Sequence, residues 1–158
     1  MWEWSAVASR WLHVGGAIVL LGGAVMLRYV VAPAAEALPD AEHQAFRQRL
    51  MAGWRKFVHP LVGVLFLSGC WNFWLRLRTV SPWNALAGFH ALLGLYVLFI
   101  ASALVGRSAG LAKLRQDWKF WLQLNIAAAF VAVMLGGMCR FLPAKPSEPA
   151  KAEVSAAS

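Results

Sequence analysis

Four long apolar stretches divide this sequence, and they constrain its fold more than any other feature. They cover residues 4–32, 54–75, 82–106 and 119–142. Each is long enough to cross the hydrocarbon core of a bilayer as a helix, which takes about 20 mostly apolar residues. A helix also satisfies its own backbone N–H and C=O groups, as lipid requires. The sequence therefore predicts an all-α integral membrane four-helix bundle over residues 1–142, followed by a disordered polar tail over residues 143–158.

The composition argues against the common soluble classes. Of 158 residues, 60% are apolar and only 14% are charged, whereas a soluble domain is closer to half apolar and a quarter charged. A chain this short could not bury so much apolar surface in a soluble core. The net charge of +8 comes from short clusters of Lys and Arg between the apolar stretches. This distribution favours a lipid bilayer as the partner and argues against nucleic acid.

The same clusters predict how the helices are oriented. One side of the predicted bundle carries Arg28, Arg47, Arg49, Arg55, Lys56, Arg107, Lys113, Arg115 and Lys119. The other side carries Arg10, Arg76, Arg78 and Arg140, with Lys145 and Lys151 in the tail. Positive residues are enriched on the cytoplasmic side of membrane proteins. We therefore expect the richer side to be cytoplasmic and both termini to lie on the outer side of a bacterial inner membrane.

Two histidines within the apolar stretches are the leading candidates for a functional site, because ionisable groups in a membrane span are costly. His13 follows Trp4 by nine residues, and His90 follows Ser81 by nine residues. Both helices begin at the outer face, so a rise of about 1.5 Å per residue gives the two imidazoles the same depth. Two histidines at one level on different helices are what a b-type haem needs for axial ligation. We therefore predict that haem b lies between the first and third spans. Its role would be electron transfer or redox chemistry near the outer face. If the protein is an enzyme, we expect a membrane oxidoreductase.

Small residues accompany both histidines. Gly16 follows His13 by three residues and Gly94 follows His90 by four, which places each glycine on the face of its histidine. Such residues leave room for a macrocycle, but they also let membrane helices pack closely. The second interpretation predicts a structural membrane subunit without a cofactor.

Copper is the competing ligand. Imidazole and sulfur ligands suit Cu(I), and Cys70, Met138 and Cys139 belong to the same outer layer as the two histidines. This alternative predicts a protein of copper resistance or copper transport.

An inner layer of charged and titratable residues contains Arg28, Arg55 and His59. Arg28 is close enough to the end of its span to extend toward the lipid head groups. Alternatively, Arg28 and Arg55 hold an anion such as a haem propionate. His59 is a proton-titrating group, since histidine changes charge near neutral pH. All three residues are therefore candidate cofactor contacts.

Several short motifs resemble the copper-resistance D-like family of membrane proteins over residues 9–142. These motifs are WLH at 11–13, the glycine pair at 22–23, RYVVAP at 28–33, WRKFVHP at 54–60, SGCWN at 68–72, SALVGRS at 102–108 and FWLQLN at 120–125. The resemblance lies in their order and spacing. It implies a four-helix bundle, a b-type haem and a link to copper handling.

A more distant resemblance is to the four-helix, haem-binding protoporphyrinogen oxidase of bacteria. The first helix of that enzyme carries a histidine in a setting similar to that of His13. Its third helix carries a lysine where this chain has His90, so the resemblance does not extend to its full pattern. Four helices form only a thin wall around a cofactor, and we therefore also expect a homodimer or a redox partner.

Overall fold

The computed structural model describes residues 2–79 and 85–139. The described chain is helical, with short connections and no strand. Its elements are α1 (Trp2–Met26), a π-helical turn (Leu27–Val31), α2 (Ala32–Glu36), α3 (Asp40–Thr79), α4 (Ala85–Val105), a 3-10 turn (Ala109–Leu111), α5 (Ala112–Gln116) and α6 (Trp118–Met138). The predicted start of the third span at Ser81–Pro82 and the predicted tail over 143–158 lie outside the described residues.

The first span does not end at Pro33, where the sequence predicts its end. Proline lacks an N–H and would clash with the carbonyl four residues before it in a regular α-helix. Here the π-helical turn precedes the proline, and Ala32 N–H donates to the carbonyl of Leu27, five residues back. The wider turn accommodates Pro33 in the first turn of α2. The helical path therefore continues to Glu36.

The second span is part of a helix that begins well before residue 54, where the apolar stretch starts. This helix is the 40-residue α3, which begins at Asp40 and contains Pro60 in its interior. At 1.5 Å per residue, α3 is about 60 Å long. A hydrocarbon core is only about 30 Å thick, so α3 is about twice as long as a perpendicular crossing requires.

The four long helices pack as a ring in the order α1, α3, α4, α6, with α6 returning to α1. The helices α1 and α4 therefore lie diagonally across the bundle. Side chains from all four meet in the core, including Leu20, Val58, Leu65, Val97 and Ala129. At one end of the bundle, an ion pair between Glu36 and Lys119 connects α2 to α6.

The outer surface of the bundle is strongly apolar. Large side chains such as Trp11, Leu67 and Leu92 are each at least two-thirds exposed. Within the described part of the chain, four helices are long and apolar enough to span a membrane, with mean hydropathies of 1.9, 1.3, 2.0 and 1.7 in chain order. The fold therefore has the character of an integral membrane protein.

Candidate functional site

The centre of the candidate site is the pair His13 and His90. His13 extends from α1 and His90 from α4, so the two side chains approach each other across the diagonal of the bundle. Their ring centroids are 6.4 Å apart, and the ring planes are inclined by 66°. The structure thus brings together the two residues that the sequence predicts at the same depth.

The Nδ1 atom of each imidazole is held by a neighbouring helix. His90 Nδ1 lies 2.9 Å from the carbonyl oxygen of Ala132 on α6. A carbonyl can only accept, so this nitrogen carries the hydrogen. His13 Nδ1 lies 3.1 Å from Ser68 Oγ on α3. The Ser68 hydroxyl donates its hydrogen to the carbonyl of Val64, and Ser68 Oγ therefore accepts from His13.

This hydrogen bonding gives both neutral rings the same tautomer. With Nδ1 protonated, the lone pair of each imidazole is on Nε2. Metal-ligating histidines commonly have this arrangement, in which the second nitrogen donates to a carbonyl or another acceptor and fixes the ring. His13 and His90 therefore each have a nitrogen with the electronic character of a metal ligand.

Two glycines on the adjacent helices allow the rings to take these positions. A Cβ atom at Gly69 on α3 would lie 3.2 Å from His13 Cε1, and one at Gly136 on α6 would lie 3.1 Å from His90 Cε1. Both distances are shorter than the optimum of about 3.5–4.0 Å for carbon contacts. The two glycines thus form a cradle that side chains would partly fill.

The small residues predicted beside the histidines are not the ones that lie against the imidazole rings. A Cβ atom at Gly16 would lie 3.2 Å from the side chain of Leu65, so this glycine permits close packing of α1 on α3. A Cβ atom at Gly94 would meet no atom within 4 Å. The glycines that contact the rings come from α3 and α6, not from the helices that carry the histidines.

Ser9 and Ser68 extend the polar network, and sequence reasoning missed both. They are buried, and Ser9 Oγ donates to the carbonyl of Ser68 at 3.3 Å. Ser9 lies one helical turn before His13, so its position on the histidine face was a usable signal. Ser68 offered none, because its role depends on how α3 is rotated against α1.

The inner-layer candidates do not join the histidine pair. His59 is exposed on the outside of α3. Arg55 Nε donates to the carbonyl of Val105 at 2.6 Å, and Arg55 lies thirteen residues before Ser68, about 20 Å along α3. Arg28 Nη2 donates to Gln123 Oε1 at 3.3 Å. The structure thus separates these residues from the site around His13 and His90.

Two of the candidate copper ligands, Cys70 and Met138, are exposed, whereas His13 and His90 are half-buried. Cys70 is exposed and Cys139 is half-buried, and neither forms a disulfide. The Met138 side chain is 54% exposed. Within residues 2–79 and 85–139, no three side chains of the His, Cys, Asp and Glu types are grouped closely enough to hold a metal ion.

The two imidazole nitrogens of His13 and His90 are too few to hold a bare metal ion, but they suit a metal ion that a cofactor already ligates. Protein-bound zinc generally has three or four protein ligands, whereas a haem iron needs only one or two axial ones. With metal–nitrogen bonds of about 2 Å, two imidazoles on opposite sides of one ion would have centroids about 6 Å apart. The observed separation of 6.4 Å is close to that value, and it also lies within the range of about 4.5–7 Å for two rings packed edge to face.

Comparisons with protein families, curated proteins and solved structures give no match to this chain. The resemblance to copper-resistance D-like proteins therefore stays a prediction. The chemistry of the site rests on its own geometry.

Proposed function

We propose that this protein is an integral membrane haem b protein with His13 and His90 as the axial ligands. The observation that carries the proposal is the pair of Nδ1-anchored imidazoles, 6.4 Å apart on diagonal helices. Haem, when bound, supplies a one-electron iron couple. The chain contributes the two Nε2 ligands and the groups that orient them, Ser68 and the carbonyl of Ala132.

The same proposal includes the membrane and the orientation. The apolar outer surface faces lipid, and the side that contains Arg47, Arg55 and Arg115 faces the cytoplasm, in accord with the positive-inside rule. Both termini and the histidine pair are then nearer the outer face of a bacterial inner membrane. Electron transfer or another redox reaction with a partner on that side is the function that this arrangement supports.

An absorbance spectrum of the protein purified after haem-replete expression tests the proposal. We expect a Soret band and a low-spin iron spectrum, because two imidazoles provide two strong axial ligands. His13→Ala and His90→Ala should each abolish the low-spin form. His59→Ala is the matched control, because it removes an exposed histidine from another part of the bundle and should leave the spectrum unchanged.

Two outcomes would contradict the proposal. One is the absence of a Soret band in a folded wild-type protein. The other is a low-spin spectrum that survives both His13→Ala and His90→Ala. Metal analysis after copper loading distinguishes the two candidate cofactors, because stoichiometric copper without haem would favour the copper-handling alternative.

A further inference from the structure

A cavity of about 240 Å³ lies inside the bundle, apart from the histidine pair. Its wall comes from the four long helices and from α5, and it is mostly apolar. Two of its lining residues, Leu20 and Val97, each follow the histidine of their own helix by seven residues. That spacing is about 10 Å of helix. The cavity is therefore distinct from the site around His13 and His90.

Three arginines give the cavity a positive rim. Arg47, Arg55 and Arg115 all line it, and no Asp or Glu is among its lining residues in the described chain. The Arg47 guanidinium lies 5.6 Å from the ring centroid of Trp118, another lining residue. Three cations without a carboxylate favour an anionic occupant, and arginine is well suited to phosphate.

Two buried polar atoms of the wall have no hydrogen-bond partner. Asn125 is only 3% exposed, and its Oδ1 atom is unpaired. Arg115 Nη2 donates to the carbonyl of Ser108 at 2.6 Å, but its Nη1 is buried without an acceptor. Buried polar groups in native proteins nearly always have partners. A polar occupant of the cavity, a head group or water, would supply an acceptor for Arg115 Nη1 and a donor for Asn125 Oδ1.

We infer that this cavity binds one anionic phospholipid whose head group carries a hydroxyl, as in phosphatidylglycerol. Its phosphate accepts hydrogen bonds from the arginines, its hydroxyl donates to Asn125 Oδ1, and the apolar wall covers its first methylenes. The volume equals about eight water molecules of the liquid, which suits a phosphoglycerol head group. Basic pockets between membrane helices on the cytoplasmic side are known to bind anionic lipid head groups.

Lipid binding to the purified full-length protein in a non-ionic detergent tests this inference. The probes are phosphatidylglycerol, phosphatidylmethanol (which has the same charge and no head-group hydroxyl), phosphatidylcholine and water-soluble glycerol phosphate. Native mass spectrometry should detect about one phosphatidylglycerol per chain. Phosphatidylmethanol should bind about threefold to tenfold more weakly, because it leaves Asn125 Oδ1 unpaired. Phosphatidylcholine and glycerol phosphate should bind more weakly still.

Two variants separate the contributions of charge and hydroxyl. Arg47→Gln should weaken the binding of phosphatidylglycerol about fivefold. Arg49→Gln, which removes an exposed cation that does not line the cavity, should have no effect. Asn125→Leu should abolish the preference for phosphatidylglycerol over phosphatidylmethanol and keep the preference for anionic lipid.

Equal binding of phosphatidylglycerol and phosphatidylcholine would overturn the inference, as would equal effects of the two arginine variants. Equal binding of phosphatidylglycerol and phosphatidylmethanol would refute the role of the hydroxyl. Glycerol phosphate that binds as tightly as the lipid would show that a free phosphate ester is the ligand. Because Arg47 is exposed, Arg47→Gln should fold normally and remain informative if Asn125→Leu does not.

Discussion

A methyl group added at Gly136 tests how the protein positions the His90 imidazole. In Gly136→Ala the new Cβ atom would lie 3.1 Å from Cε1 and 3.6 Å from Nδ1 of that ring. Comfortable carbon contacts need about 3.5–4.0 Å, so the ring must move by a few tenths of an ångström. The movement strains the 2.9 Å hydrogen bond from Nδ1 to the carbonyl of Ala132.

Gly136→Ala should weaken haem binding more than it destabilises the folded protein. Changes to the groups that orient a metal-ligating histidine typically cost 10–100-fold in affinity. We expect about tenfold for Gly136→Ala, which is about 1.4 kcal/mol. The apoprotein loses at most one hydrogen bond, about 1 kcal/mol, and regains a similar amount because alanine favours the helix over glycine. Its thermal unfolding temperature should therefore change little.

Haem titration of the purified apoprotein, followed by Soret absorbance, measures this effect. Gly137→Ala is the matched control, because a Cβ atom there meets no atom within 4 Å. Equal haem affinities of the two variants would refute the role of Gly136 in positioning His90. That result would leave the axial-ligand assignment to its own test with His13→Ala and His90→Ala.

Two further substitutions address the other side of the site and the core. Ser68→Ala removes the acceptor of His13 Nδ1 and should weaken haem binding about tenfold in the same titration; an unchanged affinity would show that this hydrogen bond does not orient the ring. Gly23→Ala places a Cβ atom in overlap with the indole of Trp54 and should destabilise the bundle by about 1–3 kcal/mol. A Cβ atom at Gly22 meets no atom within 4 Å, so Gly22→Ala should leave the stability unchanged. Equal thermal unfolding temperatures of the two variants would contradict the close packing of Gly23 against Trp54.

The helices were predictable from the sequence, but some of their ends were not. Apolar length alone indicates four spans, because a helix that crosses lipid needs a continuous apolar segment. Pro33 wrongly predicted the end of the first span, because the helical path continues to Glu36. A π-helical turn at Leu27–Val31 resolves its steric conflict, and such a turn has no clear sequence signature. Likewise, the helix of the second span begins at Asp40, well before the apolar stretch that starts at residue 54.

The site was only partly predictable, because the sequence indicates the depth of a residue along a helix but not the rotation of that helix. Residue counting predicts the common depth of His13 and His90, because helical rise is fixed. The partners Ser68, Gly69 and Gly136 depend on how each helix is rotated about its axis. In a soluble bundle the polar face reveals that rotation, but a membrane helix is apolar on both its lipid side and its protein side.

The diagonal position of α1 and α4 would set an order of assembly for any ligand that bridges their histidines. Their histidines belong to the first and third spans of the chain, so a ligand that bridges them can be bound only after the third span has been inserted beside the other helices. Loading of such a ligand would then be a late step, and a chain truncated before α4 would offer only His13 of the pair. Once bound, the ligand connects opposite corners of a bundle whose main contacts run around its perimeter, and by mass action it stabilises the assembled form over separated helix pairs.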